Sequence, residues 1–223
     1  MSIPDNLKRI EKEIPADVKV VVVSKTRSLH EMLEVYHAGF KIFGENKAQE
    51  AARKQPLLPP DVEWHFIGHL QTNKARLITP FVHTIHSIDS FKLLREVDKE
   101  AKKSDRIIRC LLQFHIATEE TKFGMDPGEA MELLQQWKTN NMQNVLITGV
   151  MGMASFISDQ ELIQNEFRTL KSHFNLLKDE YFRESDEFKE ISMGMSGDYL
   201  LAIREGSTMV RLGTVIFGER FYT

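Results

Sequence analysis

Lys25 closes the run Val18-Lys19-Val20-Val21-Val22-Val23-Ser24-Lys25-Thr26. The run reads as a strand buried on both faces, of the kind found in parallel sheets. A lysine where such a strand opens into a loop can lose its proton and act as a nucleophile toward a carbonyl. Two stretches near the C-terminus offer it a partner. Gly194-Met195-Ser196 leads into a helix start, where backbone N–H groups favour an anion. Gly213-Thr214 adds a close-approach backbone and a hydroxyl. The chemistry this suggests is a phosphorylated carbonyl compound, held by its phosphate and captured as an imine on Lys25. Taken singly, each feature has a plainer reading: Lys25 a solvated charge, Ser196 a helix cap, Thr214 a loop hydroxyl.

The elements that must position these residues alternate strictly. Strands are expected at Val18–Val23, Phe40–Phe43, Val62–Ile67, Val82–His86, Arg106–Phe114, Val145–Met151, Glu190–Met193 and Met209–Leu212. Each but the last is followed by a helix. A first helix, capped by Asp5 or Asn6, carries Leu7, Ile10 and Ile14 and ends at Pro15. Ser28 caps the helix that stops at Gly39, and Gln160–Tyr181 is a long amphipathic helix. Alternation of this kind specifies a parallel sheet with right-handed crossovers, and eight units close into a (β/α)₈ barrel. The runner-up is an open doubly wound sheet. No Gly-x-Gly-x-x-Gly follows strand 1, which weakens its dinucleotide-binding form.

In a barrel the site lies at the C-terminal strand ends. Those ends carry Lys25; Glu45 and Asn46; His65 and His69; His86 and Ser87; Gln113 and His115; Met151 and Gly152; Met193, Gly194 and Ser196; and Arg211, Gly213 and Thr214. His65, His86 and His115 fall on different strands with no His-x₃-His or carboxylate cluster, so no metal site is expected. The segment Glu119–Lys122 reads as an exposed loop at the mouth.

Composition narrows the class. The 223 residues are 42% hydrophobic and 27% charged, as in one ordinary globular domain spanning 1–223. The net charge of −3 argues against a nucleic-acid or anionic-membrane partner. The single cysteine, Cys110, excludes an internal disulfide and reads as buried and inert. No apolar stretch spans a bilayer and no signal-peptide layout opens the chain. A cytoplasmic protein is expected.

Several ordered motifs carry a resemblance over about Asn6 to Arg220. They are Val23-Ser24-Lys25-Thr26; Phe43-Gly44-Glu45-Asn46 with Gln49-Glu50; Trp64-His65-Phe66-Ile67-Gly68-His69-Leu70-Gln71-Thr72-Asn73-Lys74; Gly149-Val150-Met151-Gly152-Met153; Ser192-Met193-Gly194-Met195-Ser196-Gly197-Asp198; and Gly206 through Thr214 with Phe217-Gly218. Together they resemble the pyridoxal phosphate homeostasis proteins, the YggS/PROSC family. The resemblance implies a single barrel like the N-terminal domain of alanine racemase (fold type III) without the C-terminal β domain. It implies pyridoxal 5′-phosphate (PLP) held as a Schiff base on Lys25. Ser196, Gly213 and Thr214 match the family's phosphate contacts, Arg211 the residue facing the pyridine nitrogen, and Asn46 and Met193 positions lining the ring. His115 stands where asparagine is usual, and Lys47 where tyrosine or arginine is.

The implied role is a monomeric carrier without turnover, which buffers PLP and hands it to apo PLP-dependent enzymes. No strand-end tyrosine offers a second acid–base group. Two enzyme readings compete: a small PLP-dependent amino-acid racemase using Lys25, and an imine-forming aldolase acting on a phosphosugar.

Overall fold

The computed structural model describes residues 2–119 and 123–219. Lys122, assigned to a rim loop from the sequence, lies outside the described residues. Eight strands pair in parallel in chain order: β1 (Lys19–Val23), β2 (Ile42–Glu45), β3 (Glu63–Phe66), β4 (Thr84–Ile88), β5 (Ile108–Phe114), β6 (Val145–Gly152), β7 (Glu190–Met195) and β8 (Met209–Leu212). β8 returns to β1, in register from Lys19–Met209 to Val22–Leu212. That ladder closes the barrel and excludes the open sheet.

Helix α1 (Ile3–Glu13) precedes the barrel. The helices α2 (Leu29–His37), α3 (Ala48–Lys54), α4 (Ala75–Ile78), α5 (Phe91–Lys103), α6 (Pro127–Thr139), α7 (Gln160–Tyr181), α8 (Tyr199–Arg204) and α9 (Thr214–Phe217) follow β1 to β8 in turn. Local chemistry sets several starts. Ser28 and Glu31 form a reciprocal capping box on α2, and Asp126, Pro127 and Glu129 do the same for α6. α1 begins earlier than expected: Ser2 is its cap, and Asp5, the expected cap, is instead the acid that answers it.

Side chains on each strand alternate between two environments. On β1, Val20 and Val22 pack outward with α1 and α2, whereas Lys19, Val21 and Val23 point into the barrel. On β3, Trp64 and Phe66 face the helices, and Glu63 and His65 face inward. The hydrophobic core is therefore the shell between sheet and helices, and the axis of the barrel is polar. Cys110 lies in that shell, fully buried, and burial pushes its thiol well above the ordinary range. This agrees with an inert thiol.

Three strands run two residues further along the chain than their apolar runs suggest. β2 ends on Glu45, β4 includes Ser87 and Ile88, and β7 continues to Met195. In β2 and β4 a buried polar residue (Glu45, Ser87) prolongs a strand that hydrophobicity alone would stop short, and β7 continues through Gly194 to Met195.

Candidate functional site

Lys25 follows Val23 by two residues and so continues the inward row of β1. Both line a cavity of about 660 Å³ at the C-terminal strand ends. The turn that presents Lys25 is strained. Thr26 has φ +63°, a left-handed conformation that a β-branched residue adopts at a cost of about 1–3 kcal/mol. A buried network holds it there. The Thr26 N–H donates to Glu50 Oε1 at 2.6 Å. The Lys54 ammonium donates to Glu50, Glu45 and the Ser24 carbonyl, each at 2.7 Å, and Ser24 Oγ donates to Glu45. The residues flanking Lys25 are thus tied to α3 and β2. Burial raises the Glu45 carboxyl, with the Lys54 ammonium opposing it.

Asn46 follows Gly44 on the inward row of β2 and also lines the cavity. Its Oδ1 is buried with no hydrogen-bond partner among the described residues. The loop after β3 presses against Asn46. A Cβ at Gly68 would meet the Asn46 carbonyl oxygen at 2.2 Å, so only glycine permits this approach.

The far side of the cavity is built by β7, β8 and their loops. Ser196 does not cap α8, contrary to the sequence reading; Asp198 occupies the cap position. Instead, Ser196 Oγ accepts the N–H groups of Gly213 and Val215 at 3.2 and 3.3 Å. With both lone pairs so engaged, its own proton is left to donate. Gly213 and Thr214 complete this wall.

Arg211 forms the floor. Its guanidinium donates to Ser192 Oγ at 2.7 Å, to the Ser192 carbonyl at 2.9 Å and to the Gly152 carbonyl at 3.0 Å. Burial lowers its pKa to about 10, which leaves it a cation at neutral pH.

Beneath Arg211 a chain of hydrogen bonds descends the barrel axis. Ser192 Oγ lies 3.0 Å from His86 Nδ1, His86 Nε2 lies 2.8 Å from His65 Nδ1, and His65 Nε2 lies 2.8 Å from Glu63 Oε1. One proton assignment satisfies every member. Arg211 donates to Ser192, Ser192 to His86, His86 to His65, and His65 to the Glu63 carboxylate. Burial lowers both imidazoles, so both are neutral, as this assignment requires. Burial alone would raise Glu63, but its hydrogen bonds to His65 and His83 hold it well below the usual carboxylate range.

Lys25, Asn46, Ser196, Arg211, Gly213 and Thr214 therefore meet in one cavity. Met193 does not join them: it is fully buried in the outer core. Gly194, at φ +92°, packs against α8, and a register irregularity separates Ser192 from Met195. Met195, not Met193, reaches the cavity. The sequence reading also missed Ile67, Met153, Phe156 and Asp198. Ile67 and Met153 fell inside quoted motifs without a role, and Phe156, 93% exposed in the loop after β6, carries no signal in its spacing. His115 turns to the Glu119 carbonyl and Lys47 is exposed at the start of α3, so neither departure lines the cavity.

Comparison with known proteins agrees with this architecture. Residues 2–221 match the family model for the alanine racemase N-terminal domain. The pyridoxal phosphate homeostasis protein of Aquifex aeolicus is 39% identical over 206 residues, covering 92% of this chain and 88% of the relative. That of Vibrio alginolyticus is 35% identical, covering 100% and 99%. PipY of Synechococcus elongatus PCC7942, solved with PLP bound, superposes with a TM-score of 0.87 at 33% identity over 97% of this chain and all of that one. The chain belongs to the alanine racemase N-terminal domain family, among its pyridoxal phosphate homeostasis proteins.

Proposed function

We propose that this chain binds PLP in the cavity at the mouth of the barrel and serves to hold and release it within PLP homeostasis. The observation that carries this reading is the convergence of Lys25, Arg211 and the Ser196–Gly213–Thr214 wall on that cavity. The PLP-bound PipY structure and the relatives' names support it.

The residues fit that cofactor. The Ser196 hydroxyl and the Thr214 hydroxyl supply donors for a phosphate. Lys25 supplies the amine for the aldehyde, held as a Schiff base. Asn46 Oδ1 is a buried acceptor that a donor on the bound molecule would satisfy. Bound PLP supplies an aldehyde that an amine captures and a ring that draws off electrons. We assign Arg211 to the ring nitrogen. A cation there keeps that nitrogen unprotonated and weakens the electron sink.

Holding is favoured over turnover. Among the described residues lining the cavity there is no histidine or tyrosine to pair with Lys25 as a second proton-transfer group. Release to apo PLP-dependent enzymes belongs to the same reading, as does a cytoplasmic location. No helix among the described residues is long and apolar enough to cross a membrane.

The test is spectroscopic. The protein incubated with PLP should show a visible absorption band that borohydride removes, and Lys25→Ala should lack the band. A wild-type protein that stays colourless at saturating PLP would overturn the assignment. Ser196→Ala should stay folded but lose cofactor faster on dialysis. Amino acids incubated in deuterated water should exchange their α-proton no faster than with free PLP; exchange at enzymatic rates would establish a racemase instead.

A further inference from the structure

A second cavity, of about 230 Å³, lies at the opposite end of the barrel. It is lined by the bottom residues of the inward rows, among them Lys19 on β1 and Glu63 and His65 on β3. His83, the residue before β4, enters from the neighbouring strand. Glu63 Oε1 lies 2.8 Å from His65 Nε2 and 3.0 Å from His83 Nδ1, and the three donor atoms fall within 4.8 Å of one another. The two imidazole rings stack nearly parallel, 5.8 Å apart at 8°.

We infer that Glu63, His65 and His83 form a divalent transition-metal site of the zinc type at the base of the barrel. Two imidazoles and a carboxylate are a donor set that zinc takes with its fourth position open to water. Metal–ligand bonds of about 2.0–2.1 Å in a tetrahedron place ligand atoms about 3.3 Å apart. The two separations from Glu63 Oε1, 2.8 and 3.0 Å, reach that value by an opening of a few tenths of an ångström. The carboxylate–imidazole donors select first-row transition ions over magnesium or calcium, which prefer oxygen alone. The open position faces the cavity.

The surroundings supply what such a site needs beyond its ligands. A metal-bound histidine characteristically donates its other N–H to a fixed acceptor. His65 Nδ1 has one, His86 Nε2 at 2.8 Å, buried and itself bonded to Ser192. Metal on His65 Nε2 makes Nδ1 the donor, His86 then donates to Ser192, and every ring nitrogen in the row stays satisfied. Thr84 Oγ1, now 2.9 Å from His83 Nδ1, sits beside the same atom. Three cations share the cavity, and two are already neutralised: Lys19 by Glu190 at 2.5 Å and Arg109 by Glu187 at 2.7 Å. Lys189 lines it as well. The site also has structural use, because β3 and β4 are joined at two register positions, His65–Thr84 and Phe66–Ile85. A metal would clamp that seam.

Cobalt(II) is the probe. The full chain, stripped with chelator and dialysed, should develop a visible ligand-field band on Co²⁺ titration, saturating at one equivalent and displaced by Zn²⁺. His83→Ala and the isosteric Glu63→Gln should weaken the titration by more than the roughly 10- to 100-fold that loss of a ligand's hydrogen-bond partner costs. His83 is half exposed, so its variant should keep the wild-type circular dichroism. Lys25→Ala should titrate as wild type, which separates this site from metal chelated at the PLP cavity. Zn²⁺ should raise the melting temperature of wild type and not of His83→Ala. Absence of the band, or titrations unchanged in both His83→Ala and Glu63→Gln, would overturn the inference.

Discussion

At the scale of single residues, the site depends on a side chain's neighbours as much as on its identity. Lys25 is presented by a turn whose next residue, Thr26, is held at positive φ by the carboxylate of Glu50. Glu50→Ala removes the acceptor of the Thr26 N–H and one partner of Lys54 together. The side chain is largely buried, so the expected loss of stability is about 1–3 kcal/mol. Chemical denaturation measures it. The same variant should retain PLP less well than wild type, because the lysine's turn loses its anchor; unchanged retention would mean that Lys54 and Glu45 suffice to hold it. Lys25, Ser196 and Arg211 were legible in the sequence because each stands at or beside the end of a recognisable strand. The anchor was not. Glu50 lies on α3, and nothing in the spacing of Thr26 and Glu50 declares that one caps the other.

At the scale of elements, glycine decides how closely the loops approach. Gly68 lets the loop after β3 lie on the backbone of Asn46. Gly68→Ala therefore has no space to relax into without moving Asn46 or the loop. PLP affinity should fall about tenfold or more, equivalent to about 1.4 kcal/mol, while the far-UV circular dichroism is kept. Equilibrium titration of the visible band checks this. Met193 is the one misplaced ring residue. Ser192 faces into the barrel, so regular alternation along β7 already turns Met193 outward. The positive φ at Gly194 and the shifted register then bring Met195 to the cavity. A strand irregularity is set by packing against α8 and is invisible to period-two reading. The histidines hydrogen-bond, as expected of them, but their meeting was not legible for a related reason. Read as three isolated residues on separate strands, they gave no cluster. Which rings meet depends on the β3–β4 register and on His83, a residue the spacing does not single out.

At the scale of the whole molecule, the order of strands and helices was plain from the sequence, since buried parallel strands and amphipathic helices have different periods. Strand ends were less so, because β2 and β4 run on through the buried polar residues Glu45 and Ser87, and β7 runs on through Gly194. Closure has an energetic consequence. Leu212 is fully buried, pairs with Val22 across the closing seam, and packs in the shell with α1 and α9. Leu212→Ala should cost about 2–5 kcal/mol. If residues 1–223 act as one domain, that loss should appear as a lower midpoint of a single denaturation transition with the slope kept. Two separated transitions would show that part of the barrel melts alone.

The row of hydrogen bonds from Arg211 to Glu63 has a further meaning. Its donors all face the same way, so their bond moments add along the barrel axis, much as peptide moments add along a helix. A cation terminates one end and an anion the other. The uncharged rings between them carry no net charge, yet they align each end with its opposite. The two ends of the barrel are consequently not electrically separate compartments: neutralising Glu63 unpins the orientation of every proton up to Arg211, with no backbone displaced.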